Sequence, residues 1–300
     1  MKVPVPTRRD FVRLSALLLA SGATRLSGAR TKVHLYPVEQ CGKWGYIDRK
    51  GTIVIQPKFD DAWAFSEDLA AVEVGGHWGY IDRSGVETIR PRFDEARNFR
   101  YGLSPVRIGN LWGFIRPDAG LGIPLQFDYA RSFQDERARV RLKGKWGFIE
   151  TNGAFAIQPL YDNANGYNEG LAPVEINGKW GYIDKAGDFA IPVQYPIAGI
   201  FSDGLAAVKT GKYWGFITRD GVLSIESRFE EVGEFSEGVC PVRLNGKWGY
   251  IDKSGILMIR PHYDQADHFA DSLAPVTIGK ANKYIDHKDD VVWVSEQHCA

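Results

Sequence analysis

Apolar residues recur along this chain on a fixed ruler rather than in long amphipathic stripes. Trp44, Trp78, Trp112, Trp146, Trp180, Trp214 and Trp248 are each 34 residues from the next. Three residues after each stands Ile, eleven after stands Ile again, and fifteen and twenty-one after stand Phe or Tyr. Twenty-eight after stands Val. An eighth copy begins where Lys283, Tyr284 and Ile285 fall in register, with the Trp and Gly lost. Within a copy the pattern is short and alternating, which is the signature of strands. The first predicted strand is the phrase Trp-Gly-aromatic-Ile-Asp. A glycine turn follows, as in Asp48-Arg49-Lys50-Gly51, and a second run such as Ile53-Val54-Ile55 ends at proline. After an irregular stretch, a third run such as Leu69 to Val74 leads back to the next Trp. Helical hairpins share the 34-residue period, but the glycines in each copy and the proline in most would break them.

These positions give an all-β array of about eight antiparallel 34-residue repeats covering the mature chain, with a worn C-terminal cap and no second domain. One repeat buries too few side chains, at roughly 1.5–3 kcal/mol each, to offset its own ordering entropy, so neighbours must share a core. The shortness of the unit favours an open twisted solenoid of three-stranded repeats, with a closed propeller-like ring as the alternative. The repeated Trp reads as a structural peg beside an obligatory Gly, its ring packed over bare backbone. The competing reading is a row of exposed aromatics stacking on sugars. Asp48, Asp82, Asp184 and Asp252 open the glycine turns and are expected to bond turn N–H groups. A second acidic row, Asp60, Asp94, Asp128, Asp162 and Asp264, is expected to order the irregular stretch. Calcium is the alternative for two acidic rows, but the spacing of known calcium repeats is absent.

The consensus phrase, seen as KWGYIDKSG from Lys247 and continued by Ile, Pro, an aromatic and Asp, resembles the WG-containing repeat family, known mainly from bacterial proteins. The resemblance spans the mature chain. It implies an all-β repeat protein without a catalytic motif.

Charge sharpens the reading. The 37 basic and 37 acidic residues cancel overall. The N-terminus carries Thr7-Arg8-Arg9-Asp10-Phe11 before an apolar run too short to span a bilayer. It resembles a twin-arginine export signal, with Arg8, Arg9 and Phe11 as its motif residues and cleavage expected after Ala29; an ordinary Sec signal is the alternative. Residues 1–29 are therefore read as a signal peptide and residues 30–300 as a periplasmic or secreted array without a membrane span. Residues 83–145 hold 13 basic and 7 acidic side chains, whereas the rest of the mature chain is acidic. Within them, Arg137, Arg139, Arg141 and Lys143 alternate with Ala138, Val140 and Leu142, so they should project together from one strand face. This ladder is the candidate anion- or partner-binding surface.

Nothing in the sequence supports catalysis, a cofactor or a metal. His262, Asp264 and His268 are close in sequence, yet His262 stands where other repeats have Lys, Arg or Gln. Cys41, Cys240 and Cys299 have no metal spacing, and one disulfide or three thiols are both allowed. The function expected is an exported, non-enzymatic scaffold binding a protein or an anionic envelope polymer, not nucleic acid. A carbohydrate-binding module is the alternative.

Overall fold

A computed structural model describes residues 35–40, 42–48, 52–270, 272–279 and 281–294. The signal segment with Arg8, Arg9 and Phe11, and also Cys41 and Cys299, lie outside these residues.

The described chain is built from antiparallel strands grouped into eight sheets, each a simple up-and-down succession. One sheet shows the scheme. Asp61–Ala62, Ala70–Val74, His77–Ile81 and Glu87–Phe93 lie side by side in that order. Ala62 pairs with Val72, Val74 with His77, and Tyr80 with Ile89. The Trp-Gly phrase is thus the third strand of a sheet, not its first. Sheet and sequence repeat are out of phase, so the described chain enters on the three-stranded sheet Tyr36–Gln40, Lys43–Ile47, Ile53–Phe59.

Two expectations are corrected here. The repeat has four strands, not three, because the irregular stretch contributes a strand of only two residues, such as Asp61–Ala62. That strand is followed by an isolated bridge, Ser66 to Leu69. Four-stranded meanders of this kind are the blade type of a β-propeller, so the open twisted solenoid of three-stranded repeats is set aside for the propeller alternative. A fourth strand of two residues is what lets 34 residues suffice. The second run also does not end at proline. It continues through it, as Ile53–Phe59 does through Pro57.

The reason lies opposite, at the Gly of the Trp-Gly phrase. Trp44 pairs with Phe59 and Tyr46 with Ile55, so the partner strand holds two extra residues facing Gly45. A proline, which cannot donate to a ladder, fits at such a bulge. The bulged backbone then crowds the glycine. A Cβ on Gly45 would lie 2.5 Å from the Ile55 carbonyl oxygen and 2.6 Å from Pro57 N. The same approach recurs at Gly79, Gly113, Gly147, Gly181, Gly215 and Gly249. Where Lys283 replaces the glycine, it pairs directly with Val294, beside Tyr284 with Trp293. The glycine serves the neighbouring strand's backbone more than the tryptophan ring.

The chain divides into two compact units, residues 1–143 with 150–154, and residues 144–149 with 155–300. Within each, the apolar cores lie between successive sheets. One such cluster joins Trp78, Tyr80, Ile89 and Phe93 of one sheet to Ala96, Phe99, Val106 and Ile115 of the next. The aromatic two places after each Trp meets the one at the twenty-first place, from Tyr46 and Phe65 at 4.8 Å to Tyr250 and Phe269 at 5.0 Å between ring centres. Where that first aromatic is Tyr, its hydroxyl donates to a backbone carbonyl seventeen residues on, as Tyr80 does to Arg97 at 3.0 Å. Trp44, Trp78 and Trp112 are buried, and Trp146, Trp180, Trp214 and Trp248 are half-buried against these cores.

Polar side chains tie sheet to sheet at the same spacing. Ser66 Oγ donates to the Phe99 carbonyl at 2.7 Å, and Glu67 accepts from the N–H groups of Tyr101 and Gly102 at 2.6 and 2.9 Å. In the second unit Ser236 and Asp203 do likewise with Phe269 and Gly238. The first acidic row bonds turn N–H groups, as Asp82 does those of Ser84 and Val86. The second row acts differently from the expectation. Asp60 accepts from Lys43 Nζ at 2.5 Å and from Gly75 N at 2.7 Å, fastening the hairpin turn of the next sheet. Cys240 is a buried free thiol whose Sγ lies 3.4 Å from the Gly233 carbonyl oxygen.

Candidate functional site

Every repeat spends most of its residues on this scaffold, so a site must lie where register positions change character. The strand Ala138–Leu142 carries the largest change. Its alternation is as expected, with Ala138 and Val140 buried and Arg141 exposed. The four basic residues do not form one surface, however. Arg137 turns to Glu150, with Nη2 3.4 Å from the carboxylate. Arg141 is exposed beside Tyr129, to which its backbone is paired. Lys143 sits in an exposed turn with φ at 51°.

Arg139 goes elsewhere. It stands 27 places after Trp112, where the other repeats have Ala71, Pro105, Pro173, Ala207, Pro241 and Pro275. A guanidinium therefore occupies a place built for a methyl group or a pyrrolidine ring. It is half-buried and comes within the electrostatic reach of Arg131 and Arg97. These two occupy another variable register, 19 places after the Trp, filled elsewhere by Trp63, Asn165, Gly199, Gly233 and Asp267.

Aromatic rings hold the group together. The Arg97 guanidinium lies 5.0 Å from the Trp112 ring centre and 5.4 Å from that of Tyr129, and its Nη2 donates to the Tyr129 hydroxyl at 2.9 Å. Arg131 lies over the same Tyr129 ring at 5.3 Å. Trp112 and Tyr129 are themselves in contact at 5.3 Å. Glu95 lies 3.6 Å from Arg97 and 3.1 Å from Arg107, and Asp94 lies 3.7 Å from Arg107. Burial, and after it the charge of Arg131, pushes Arg97 below the usual arginine range. Burial first, then Arg131, pushes Arg139 down to about 10, with Tyr129 opposing and Arg97 adding to the fall. The Nε atoms of Arg97 and Arg131 are buried and have no hydrogen-bond acceptor among the described residues.

Sequence reading singled out Arg139 but missed Arg97, Arg131 and Tyr129, which come from two further segments. Aligning position 19 of every repeat would have shown two consecutive arginines in a register with no common residue. The same register shapes a second place. Gly199 and Gly233, in consecutive repeats of the second unit, help line a cleft of about 190 Å³ with Trp214, Phe216 and Glu234.

His262 Nδ1 lies 2.7 Å from the Arg260 carbonyl oxygen, and His268 Nδ1 lies 2.8 Å from the Asp267 carboxylate. Among the described residues, no three His, Cys, Asp or Glu side chains are gathered for a metal ion. No helix among them is long and apolar enough to cross a membrane.

Known structures share the fold at low identity. A eukaryotic initiation factor matches with a TM-score of 0.62 at 10% identity, over 87% of this chain and 85% of its own. The dihydro-heme d1 dehydrogenase NirN, in complex with DHE, matches with a TM-score of 0.59 at 12% identity, over 91% and 75%. None of the curated proteins matches in sequence. The WG containing repeat matches seven times in tandem, over residues 44–77, 78–112, 112–146, 146–180, 180–214, 214–248 and 248–284. This chain belongs to the WG-repeat family.

Proposed function

We propose that the protein is an exported, non-enzymatic scaffold that binds an acidic protein surface or an anionic envelope polymer through the arginine-rich face of its first unit. The observation that carries this reading is the placing of Arg97 and Arg131 over the one Tyr129 ring, with half-buried Arg139 near enough to feel their charge. Massing like charges in a partly buried place costs stability. A repeat scaffold that needs only Ala or Pro at the Arg139 register gains nothing from that cost by itself. An anionic partner offsets it. Exposed Arg141 and Lys143 extend the positive surface outward and steer such a partner by long-range attraction.

Export is read from Thr7-Arg8-Arg9-Asp10-Phe11, and it would place the face among envelope components rather than nucleic acid. The test is capture of envelope proteins and polymers by the mature chain, with Arg139 changed to Ala and exposed Arg141 and Lys143 changed to Glu in a parallel sample. Capture should be salt-sensitive, and these changes should abolish it without lowering Tm. Equal capture by both chains overturns the reading.

A further inference from the structure

Arg97 shows one use of the nineteenth place after a Trp. Its guanidinium lies 5.0 Å from the ring centre of Trp112, the next repeat's Trp, which is only 2% exposed. Trp63 likewise packs on the cluster that holds Trp78. In the repeat that begins at Trp180 the same place is Gly199, ahead of Trp214, and no side chain fills it. Gly199, Leu205, Trp214, Phe216, Val232 and Glu234 line the cleft of about 190 Å³ found there. Backbone geometry does not require this glycine. Its strand, Ile197–Ser202, has a register shift between Ala198 and Phe201, but Gly199 has no left-handed φ. An added Cβ would come no nearer than 3.5 Å to any atom beyond its chain neighbours, an ordinary contact. Gly233, also on the cleft wall, differs, because its Cβ would meet Pro241 Cγ at 2.6 Å. A strand glycine that nothing crowds weakens the strand and leaves room for a ligand to approach.

We propose that this cleft binds the arginine side chain of a partner protein or peptide, seated over Trp214 as Arg97 is seated over Trp112. The cavity is well short of the roughly 300–1,000 Å³ of pockets that enclose a whole small ligand, so it suits one side chain. Leu205 and Val232 offer apolar surface to the aliphatic stem, and the indole takes the planar guanidinium. A lysine would bring a compact, strongly hydrated ammonium that stacks less well. Glu234 answers the charge. It is exposed, and among the described residues it makes no hydrogen bond or ion pair. His268 and Asp267 are within its electrostatic reach but are bonded to each other at 2.8 Å. Lys209 lies 5.7 Å from the Trp214 ring centre without lining the cleft. Arg107 holds the same register beside Trp112, and Arg97 still lies over that ring, so one flanking cation does not exclude another. The site lies in the second unit and selects the opposite charge to the arginine-rich face, so it stands or falls independently of that face.

The full chain is titrated calorimetrically with N-acetyl-arginine methylamide and with its citrulline analogue, which has nearly the same shape and no charge. The arginine probe should bind saturably in the millimolar range, as one side chain would, and the citrulline probe about tenfold more weakly or less. Glu234→Gln should weaken the arginine probe by about tenfold at unchanged Tm, since an exposed carboxylate without an internal bond does not hold the fold. Gly199→Arg should fill the cleft from within, so that the probe no longer binds and Tm rises by about 2 °C. No saturable binding, equal binding of the two probes, or unchanged affinity in Glu234→Gln each overturns the proposal. So does binding retained in Gly199→Arg, or a lower Tm for that variant, which would show that an arginine does not fit over Trp214.

Discussion

At Gly79 a methyl group would lie 2.4 Å from the carbonyl oxygen of Ile89, closer than any real contact allows. The obstacle is backbone, which cannot swing aside as a long side chain would. Gly79→Ala should therefore destabilise the protein by about 3 kcal/mol, read as a lower urea midpoint at unchanged slope. Ala119 poses the opposite case. It stands at the turn register held by glycine in most repeats, with φ at 66°, a conformation that costs an L-residue about 1 kcal/mol. Ala119→Gly should raise stability by up to about that amount, and a lower urea midpoint would show that its methyl packing against the Ile89 cluster outweighs the strain. Both residues were visible as departures or constants of the ruler. That Gly79 must be glycine was legible, whereas the cause was not, because the bulge that crowds it lies ten residues further on in another strand.

The strand-to-strand fastenings depend on ionised aspartates. Lys43 and the Gly75 N–H hold Asp60 below the usual carboxylate range, with Lys145 and Lys247 doing the same for Asp162 and Asp264. The Ser84 and Ser254 hydroxyls, with turn N–H groups, lower Asp82 and Asp252. A carboxyl whose folded pKa is depressed stabilises the fold above its unfolded value and loses that contribution as pH falls through the folded one. Tm should then hold near neutrality and fall progressively below about pH 4, where unperturbed aspartate begins to protonate. A flat Tm from pH 6 to pH 2.5 would mean these fastenings carry no weight. Three of the four strands could be read from alternation in the sequence. The fourth, Asp61–Ala62 in its first copy, is too short to have a period and exists only because Val72 and Glu73 are there to pair with it.

For the molecule as a whole, the ruler made repeat number, core positions and all-β class legible, because recurrence within one chain exposes what packing demands. The propeller was legible only as the alternative to the solenoid, since the choice hinges on the two-residue strand. Of the candidate site, Arg139 could be picked out by register, but its company of Arg97, Arg131 and Tyr129 required three segments to be folded together. One buried side chain also turns the fold into an instrument. Cys240 replaces the Ala of most repeats at a fully enclosed place, and burial pushes its thiol far above the ordinary range. A thiol reagent can reach it only when its sheet opens. With Cys41 and Cys299 changed to Ser, the rate of Cys240 modification becomes a clock for local opening in the second unit. Each event is recorded as a mass shift in a chain that otherwise stays folded, so the lifetime of a single sheet can be timed without melting the protein.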